Sequence, residues 1–344
     1  MAFLVANSYL GLVKETTRGT LQTSAPSAAA QLQWIPNTSP QVTPMQVFLR
    51  DEALRGSPTL VYDQVQGVRH DEVDFKTYLY CDSTPLLVAA ILGGTDAVTG
   101  ATSYTHTIKL LNAPTTGSQP ASYSVLDFDG ANYFTMPGAQ AASLNLTYGA
   151  DATAEATIKM MANPYTSATA APTFGGVTSP SITSQPMIPG WDTSITIGGT
   201  SIGYIQSGEL NLDRKTAPIF TMGTQAPRVN FAGPLEVSGK FTAVVDTNAD
   251  PFSTGSSAWA LFRNASNLPL VVKFTDPNTT HSGVNDSMQF TMSNVQFQNV
   301  KRTRGKDYTE VEVEFVANAN STDASSGFSP LAFVAVNGTS SAYN

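Results

Sequence analysis

Val-Asp-Phe-Lys-Thr-Tyr-Leu-Tyr-Cys-Asp, residues 73–82, alternates apolar and polar positions over almost its whole length. Val73, Phe75, Thr77, Leu79 and Cys81 fall on one face, and Glu72, Asp74, Lys76, Tyr78 and Tyr80 on the other. That is the two-residue period of a strand buried on one side. The stretch is matched downstream by Val-Ser-Gly-Lys-Phe-Thr-Ala-Val-Val-Asp, residues 237–246. A second pair, Glu-Ala-Thr-Ile-Lys-Met-Met-Ala-Asn (155–163) and Glu-Val-Glu-Val-Glu-Phe-Val-Ala-Asn (310–318), follows in the same order. The offsets are 164 and 155 residues. One β-rich unit is thus expected twice in tandem, and two copies of one surface per chain point to assembly before chemistry.

The flanking sequence fills in the plan. Residues 1–40 read as an extended arm, 41–162 as a first β domain, 163–190 as a linker, 191–320 as a second β domain and 321–344 as a Ser-rich tail. After Asp82 the period changes. Leu86-Leu87-Val88-Ala89-Ala90-Ile91-Leu92 follows Ser83-Thr84-Pro85 and stops at Gly93-Gly94, which predicts a short capped helix. In the second half, residues 209–212 stand where 46–49 stood, a long loop (216–234) precedes the strand at 236–246, and residues 256–263 replace the helix. The fold class is mainly β: two tandem β-sandwich or partly closed barrel domains, each with a short flanking α-helix.

Of 344 residues only 13% are charged, and the net charge is −8. Tight nucleic-acid binding draws on Lys and Arg, so this balance disfavours it, while a surface that lets DNA pass without sticking stays compatible. Cys81 is the single cysteine, which excludes an intrachain disulfide and a cysteine zinc site, and its place on the apolar face makes it a core residue. The first residues lack a basic region and a long apolar run, so no export signal is expected. No stretch reaches the roughly 20 apolar residues of a membrane helix.

Sites of chemistry are weak by pattern. Gly199-Thr200-Ser201-Ile202-Gly203 matches the hydrolase nucleophile elbow, but a strand follows it where a helix is required, so a hairpin accounts for the glycines. His70, His106 and His281 have no ligand-spaced partners. Asp246-Thr247-Asn248-Ala249-Asp250 opens like a calcium loop, yet Pro251 replaces the needed glycine and no glutamate closes it. Lys301-Arg302-Thr303-Arg304-Gly305-Lys306 reads as a solvated hairpin tip or a salt-bridging turn toward a neighbouring subunit. No catalytic residue, cofactor or metal ligand is expected.

On these residues the chain resembles the tail tube (major tail) proteins of long, non-contractile tailed bacteriophages. Lys14-Glu15-Thr16-Thr17-Arg18-Gly19-Thr20 is similar to a Glu-Thr-x-x-Gly-Thr element near the N-terminus of one tube-protein family. The strand ending at Asp82 with its following helix, and the ladder at 308–316, resemble that family's strand-to-helix passage and closing strand. The resemblance implies stacked rings forming a conduit for DNA ejection, in a virion tail whose subunits are made in the host bacterial cytoplasm. Its implied partners are other copies of the chain, a tape measure protein, terminal tail proteins and genomic DNA passing without specific binding, with no membrane. With two tube domains per chain, trimeric pseudo-hexameric rings are expected rather than hexamers. Candidate lumen-facing residues are Glu72, Asp74, Lys76, Glu155, Lys159, Glu236, Lys240, Glu310, Glu312 and Glu314, whose acidic excess would repel phosphate. The alternative for these residues is an ordinary outer sheet face. Candidate ring-stacking loops carry Asp51, Glu52, Arg55, Arg214, Lys215 and Arg228. The competing classes are a β-sandwich virion surface or adhesion protein, and a serine esterase using Ser201 with one of the three histidines.

Overall fold

The computed structural model describes residues 5–38, 40–112, 117–202, 204–245, 258–304 and 308–344. The residues 246–250 weighed as a calcium loop lie outside the described residues, as do 256–257 of the second helix stretch and Gly305 and Lys306 of the basic turn.

The first half holds β1 (Tyr9–Lys14), β2 (Leu32–Ile35), β3 (Gln41–Asp51), β4 (Asp63–Tyr78), α1 (Thr84–Leu92), β5 (Ala97–Gly100), β6 (Tyr104–Lys109), β7 (Tyr123–Phe128), β8 (Tyr133–Gly149), β9 (Glu155–Ala162) and β10 (Thr166–Ala168). The second holds β11 (Thr193–Ile197), β12 (Thr200–Ile202), β13 (Ile205–Asp213), β14 (Ala217–Ile219), β15 (Val229–Phe231), β16 (Glu236–Val244), α2 (Ala258–Arg263), β17 (Leu268–His281), β18 (Val284–Thr303), β19 (Glu310–Ala317) and β20 (Ala332–Asn337).

The same order of pairings occurs in both halves. In the first, β2-β1-β7-β8-β10 form one sheet and β3-β4-β9-β8 another. In the second, β12-β11-β17-β18-β20 and β13-β16-β19-β18 repeat it. The long strands β8 and β18 run through both sheets of their half, and each carries a one-residue bulge, at Ala142 and at Gln298. A bulge bends its strand, which lets one strand serve two sheets. Among the described residues the hairpin β5–β6 has no counterpart, and β6 reaches across to pair with β20.

The registers correct the repeat as read from sequence. Val73 lies opposite Met160, and Gly239 lies opposite Phe315, so the counterpart of Val73 is Gly239, two residues beyond Val237. A two-residue slip leaves every side chain on its face, so alternation alone is blind to it. Gln41 faces Asp74 as Glu209 faces Lys240, which makes Gln41, and not Gln46, the counterpart of Glu209.

Val73, Phe75, Thr77, Leu79 and Cys81 are all buried, as their alternation requires. The helix α1 differs from the flanking element expected, because all nine of its residues are buried. A helix apolar on every side has no face to give to water. It ends at Gly93, whose φ of 72° puts it in the left-handed region and whose N–H donates to Ala89 O.

The ends of the chain are also part of the body. The stretch read as an arm supplies β1 and β2, with Leu10, Leu12 and Val13 fully buried. Glu15 fastens it: its carboxylate accepts the Gly19 and Gly138 N–H groups, each at 2.7 Å, and the Ser122 and Ser124 hydroxyls at 2.6 and 2.8 Å. The stretch read as a tail supplies β20, held between β18 and β6, and carries the buried Tyr343. Asp96 Oδ2 accepts the Tyr343 N–H at 3.0 Å and lies 2.7 Å from the ring nitrogen of His106. The stretch read as a linker carries β10 and the fully buried Phe174 and Ile188.

Candidate functional site

Pairing of β8 with β13 joins the two halves, so that among the described residues eight strands run β3-β4-β9-β8-β13-β16-β19-β18 as one sheet. One face is core, with Phe75, Ile158, Leu144, Leu146, Leu210, Leu212, Phe241 and Val313 at or near zero exposure. The other face is polar. Directly opposed residues share a face, and the register places Asp74 beside Lys159, Tyr78 beside Glu155, Lys240 beside both Glu209 and Glu314, and Thr242 beside Glu312. Glu72, Lys76, Glu236 and Glu310 follow by two-residue steps, so all ten residues proposed from sequence as lumen-facing lie on this one face.

The face is laced with ion pairs. Lys159 reaches Glu72 at 2.6 Å, Lys76 reaches Glu155 at 2.6 Å, Lys215 reaches Glu236 at 2.6 Å and Lys240 reaches Glu209 at 3.3 Å. Such half-exposed pairs contribute roughly 0–1 kcal/mol each, so they order the surface rather than hold the fold. Burial pushes the Asp74 carboxyl up; Lys159 draws it down and Glu72 raises it. The hydrogen bond to Glu72 pushes the Lys159 ammonium up. Glu312 stands beside Lys301 across β19 and β18, whereas Glu314 stands beside Asn299, so the acidic excess is concentrated along β19.

Sequence reasoning missed the middle of this face. Ser143, Asn145 and Thr147 of β8 and Glu209, Asn211 and Asp213 of β13 sit at the junction of the halves, and the Asn145 and Asn211 side chains hydrogen-bond across it. The signal was present, because these residues alternate with Leu144, Leu146, Leu210 and Leu212.

The proposed stacking residues are dispersed. Asp51 ends β3, Glu52 and Arg55 lie on the connection from β3 to β4, and Arg55 pairs with Asp51. Arg228 is exposed beside the β14–β15 hairpin, and Lys215 is engaged with Glu236 on the polar face. Arg214 is withdrawn from the set: it is buried, and its guanidinium donates to the carbonyls of Ile91 at 2.8 Å and Gly233 at 3.2 Å. Burial brings its pKa down to about 10. A cation at the C-terminal end of α1 offsets the helix's exposed carbonyls.

Ser201 lies in the β11–β12 hairpin opposite Thr196, with Gly198 and Gly199 at φ 59° and 85° in the turn. A two-residue turn with both φ values positive is the ordinary hairpin connection, and it gives no nucleophile elbow. Each histidine is engaged locally: His106 with Asp96 and His281 with Asp286, each at 2.7 Å, and His70 with Glu72 at 3.9 Å. Among the described residues no group of three His, Cys, Asp or Glu side chains could hold a metal ion. Among them too, no helix is long and apolar enough to cross a membrane.

A broad polar sheet face with open strand edges, and among the described residues no convergent reactive groups, suits assembly. No curated protein matches the sequence. The family model for phage tail tube proteins matches residues 5–317, and the chain therefore belongs to that family, whose members are structural proteins of the bacteriophage tail that assemble into its tube.

Proposed function

We propose that three chains form each ring of the tube, with each chain supplying two tube domains. The observation that carries this reading is the seam inside the chain, where β8 of one half pairs with β13 of the other. The eight-stranded sheet is left with two open edges, β3 and the later part of β18, and these are the counterparts of β13 and β8. An open edge offers unpaired backbone groups and is satisfied by a strand from another chain. Repeating the internal seam between chains closes the sheet around a bore lined by the polar face. Its acidic excess lets DNA slide without holding it.

Equivalence fixes the register of that seam. Leu210 lies opposite Leu146 and Asn211 opposite Asn145 inside the chain. Their counterparts set Val42 of one chain against Arg302 of the next, and Thr43 against Lys301. The test is a paired substitution, Thr43→Cys with Lys301→Cys, since the native Cys81 is buried. Mild oxidation of assembled rings should give covalently closed trimers. Thr43→Cys with Arg302→Cys, which face opposite ways, should not link. Ladders beyond three chains, or a sixfold ring of whole chains in electron micrographs, would overturn the stoichiometry. Reversing charge at Glu310, Glu312 and Glu314 tests the bore separately, and unchanged DNA delivery by assembled virions would place β19 elsewhere.

A further inference from the structure

The seam inside the chain and the seam proposed between chains use equivalent positions but not equivalent residues. The registers of β8 on β9 and of β18 on β19 align Asn145 with Lys301 and Leu146 with Arg302. Those of β4 on β9 and of β16 on β19 align Val237 with Asp71, Ser238 with Glu72 and Lys240 with Asp74. The middle of the internal seam is uncharged. Leu146 and Leu210 are fully buried on its core face, and Asn145 hydrogen-bonds Asn211 on its polar face, with Ser238 beside Asn211. At the matching positions of the open edges, β18 carries two cations and β4 three anions. Between them lie only Gln41, Val42 and Thr43 of β3, which are uncharged.

Lys301 and Arg302 are exposed, and among the described residues neither enters an ion pair. Lys301 lies beside Glu312 of its own chain. Across the proposed seam it faces Thr43, and Glu72 stands next to Thr43 on the same face. Two strand spacings separate Lys301 from Glu72, about 10 Å at the backbone, with one small side chain between. Glu72 Oε2 takes Lys159 at 2.6 Å, while Oε1 lies 3.9 Å from the His70 ring nitrogen, beyond hydrogen-bond length. On the core face the signs repeat, with Arg302 where the internal seam has Leu146 and the buried Asp71 where it has Val237.

We propose that charge closes the seam between chains and sets its direction: Lys301 bridges Glu312 of its own chain and Glu72 of the next, with Arg302 and Asp71 adding the same signs on the core face. The inference rests on the ring reading above. Backbone pairing alone would let two β18 edges, or two β3 edges, meet as a closed pair. Two basic β18 edges repel each other, and so do two β3 edges backed by the acids of β4. Only β18 on β3 gains, and that head-to-tail contact is the one that closes a ring. A free chain with leucine at these edge positions would expose an adhesive strand. The internal seam, never exposed, keeps its leucines.

The test follows ring formation of full-length chains by sedimentation. Raising NaCl from about 0.1 M to about 1 M cuts the screening length from about 10 Å to about 3 Å and should weaken wild-type rings. Lys301→Gln with Arg302→Gln should form weaker rings with little salt dependence, so loss of Lys301 alone still permits cross-linking at high protein concentration. Lys301→Glu, or Glu72→Lys, should weaken rings at least about a hundredfold at low salt. In the second variant Lys159 keeps Asp74, directly opposite it. One chain carrying both changes should form rings again. The two single variants mixed should give two-chain species but no closed rings, because like and unlike seams cannot alternate around three chains. Single variants that form rings as the wild type does, a double variant that stays apart, or an unchanged salt response in the glutamine chain would each overturn the proposal. Closed rings from the mixture would keep the charge pairing and refute the threefold reading, since only an even number of chains can alternate.

Discussion

Arg214→Ala separates two roles for one residue, a ring-stacking contact and an internal cap. In the fold it gives a charged donor to Ile91 O at 2.8 Å and Gly233 O at 3.2 Å, while Leu92 O also keeps the Leu111 N–H at 3.0 Å. Depriving two buried acceptors of their donor costs about 1–3 kcal/mol each. Loss of a cation from the end of α1 adds about 1 kcal/mol, and loss of the packed side-chain stem about 1–2 kcal/mol. Against this stands the cost of burying the guanidinium, visible as its pKa of about 10. At about 1.4 kcal/mol per unit, removing the charge returns roughly 3 kcal/mol. The expected net loss is about 1–6 kcal/mol, read from urea unfolding of the unassembled chain. Arg214→Lys keeps the charge but not the fork of donors, and should recover less than half. If Arg214→Ala unfolds within about 0.5 kcal/mol of wild type and only tube formation fails, the residue is a stacking contact and the cap argument is wrong.

Glu15→Gln turns an amide N–H₂ toward groups that themselves donate, and should destabilise the chain by about 2–4 kcal/mol in thermal or urea unfolding. An unchanged midpoint would mean that the Lys14–Thr20 element is not fastened through its carboxylate. Gly239→Val puts a Cβ 2.5 Å from Glu209 O and 2.6 Å from the Phe315 ring, so a loss of about 3 kcal/mol or more is expected. Because the other half holds Val73 against Met160 at this place, adding Phe315→Met should recover part of the loss in a double-mutant cycle, and strict additivity would refute the equivalence. Burial first, and Asp129 second, push Asp127 up to about 6. Its folded pKa lies above the unfolded one, so the protonated carboxyl favours folding. That contribution is complete below about pH 4 and is lost as pH rises through 6, on the order of 2 kcal/mol by pH 8. Asp127→Asn should remove that part of the decline in melting temperature between pH 5 and pH 8; an unaltered slope would show that Asp127 is not its source.

The sequence by itself determined the class of the fold and the sidedness of its large sheet. Val73 to Cys81 alternates, β9 and β19 alternate, and a period of two leaves no choice about which residues face the core and which face water. All ten proposed lumen-facing residues share one face for that reason, and α1 was legible from its apolar run, its proline and its closing glycine, although Ser83 makes no side-chain cap hydrogen bond. What the sequence left open needed contacts between distant segments. Alternation cannot distinguish a strand from the same strand slipped by two residues, so Gly239 took the place assigned to Val237 only when Phe315 was set opposite it. Nothing local shows that Arg214 turns inward to α1, since an arginine in a polar loop reads as exposed until its carbonyl partners are in place. The tertiary structure also decided that the two ends of the chain are core strands. Those outcomes depend on which surfaces meet, and that is settled by packing rather than by the pattern along any one strand.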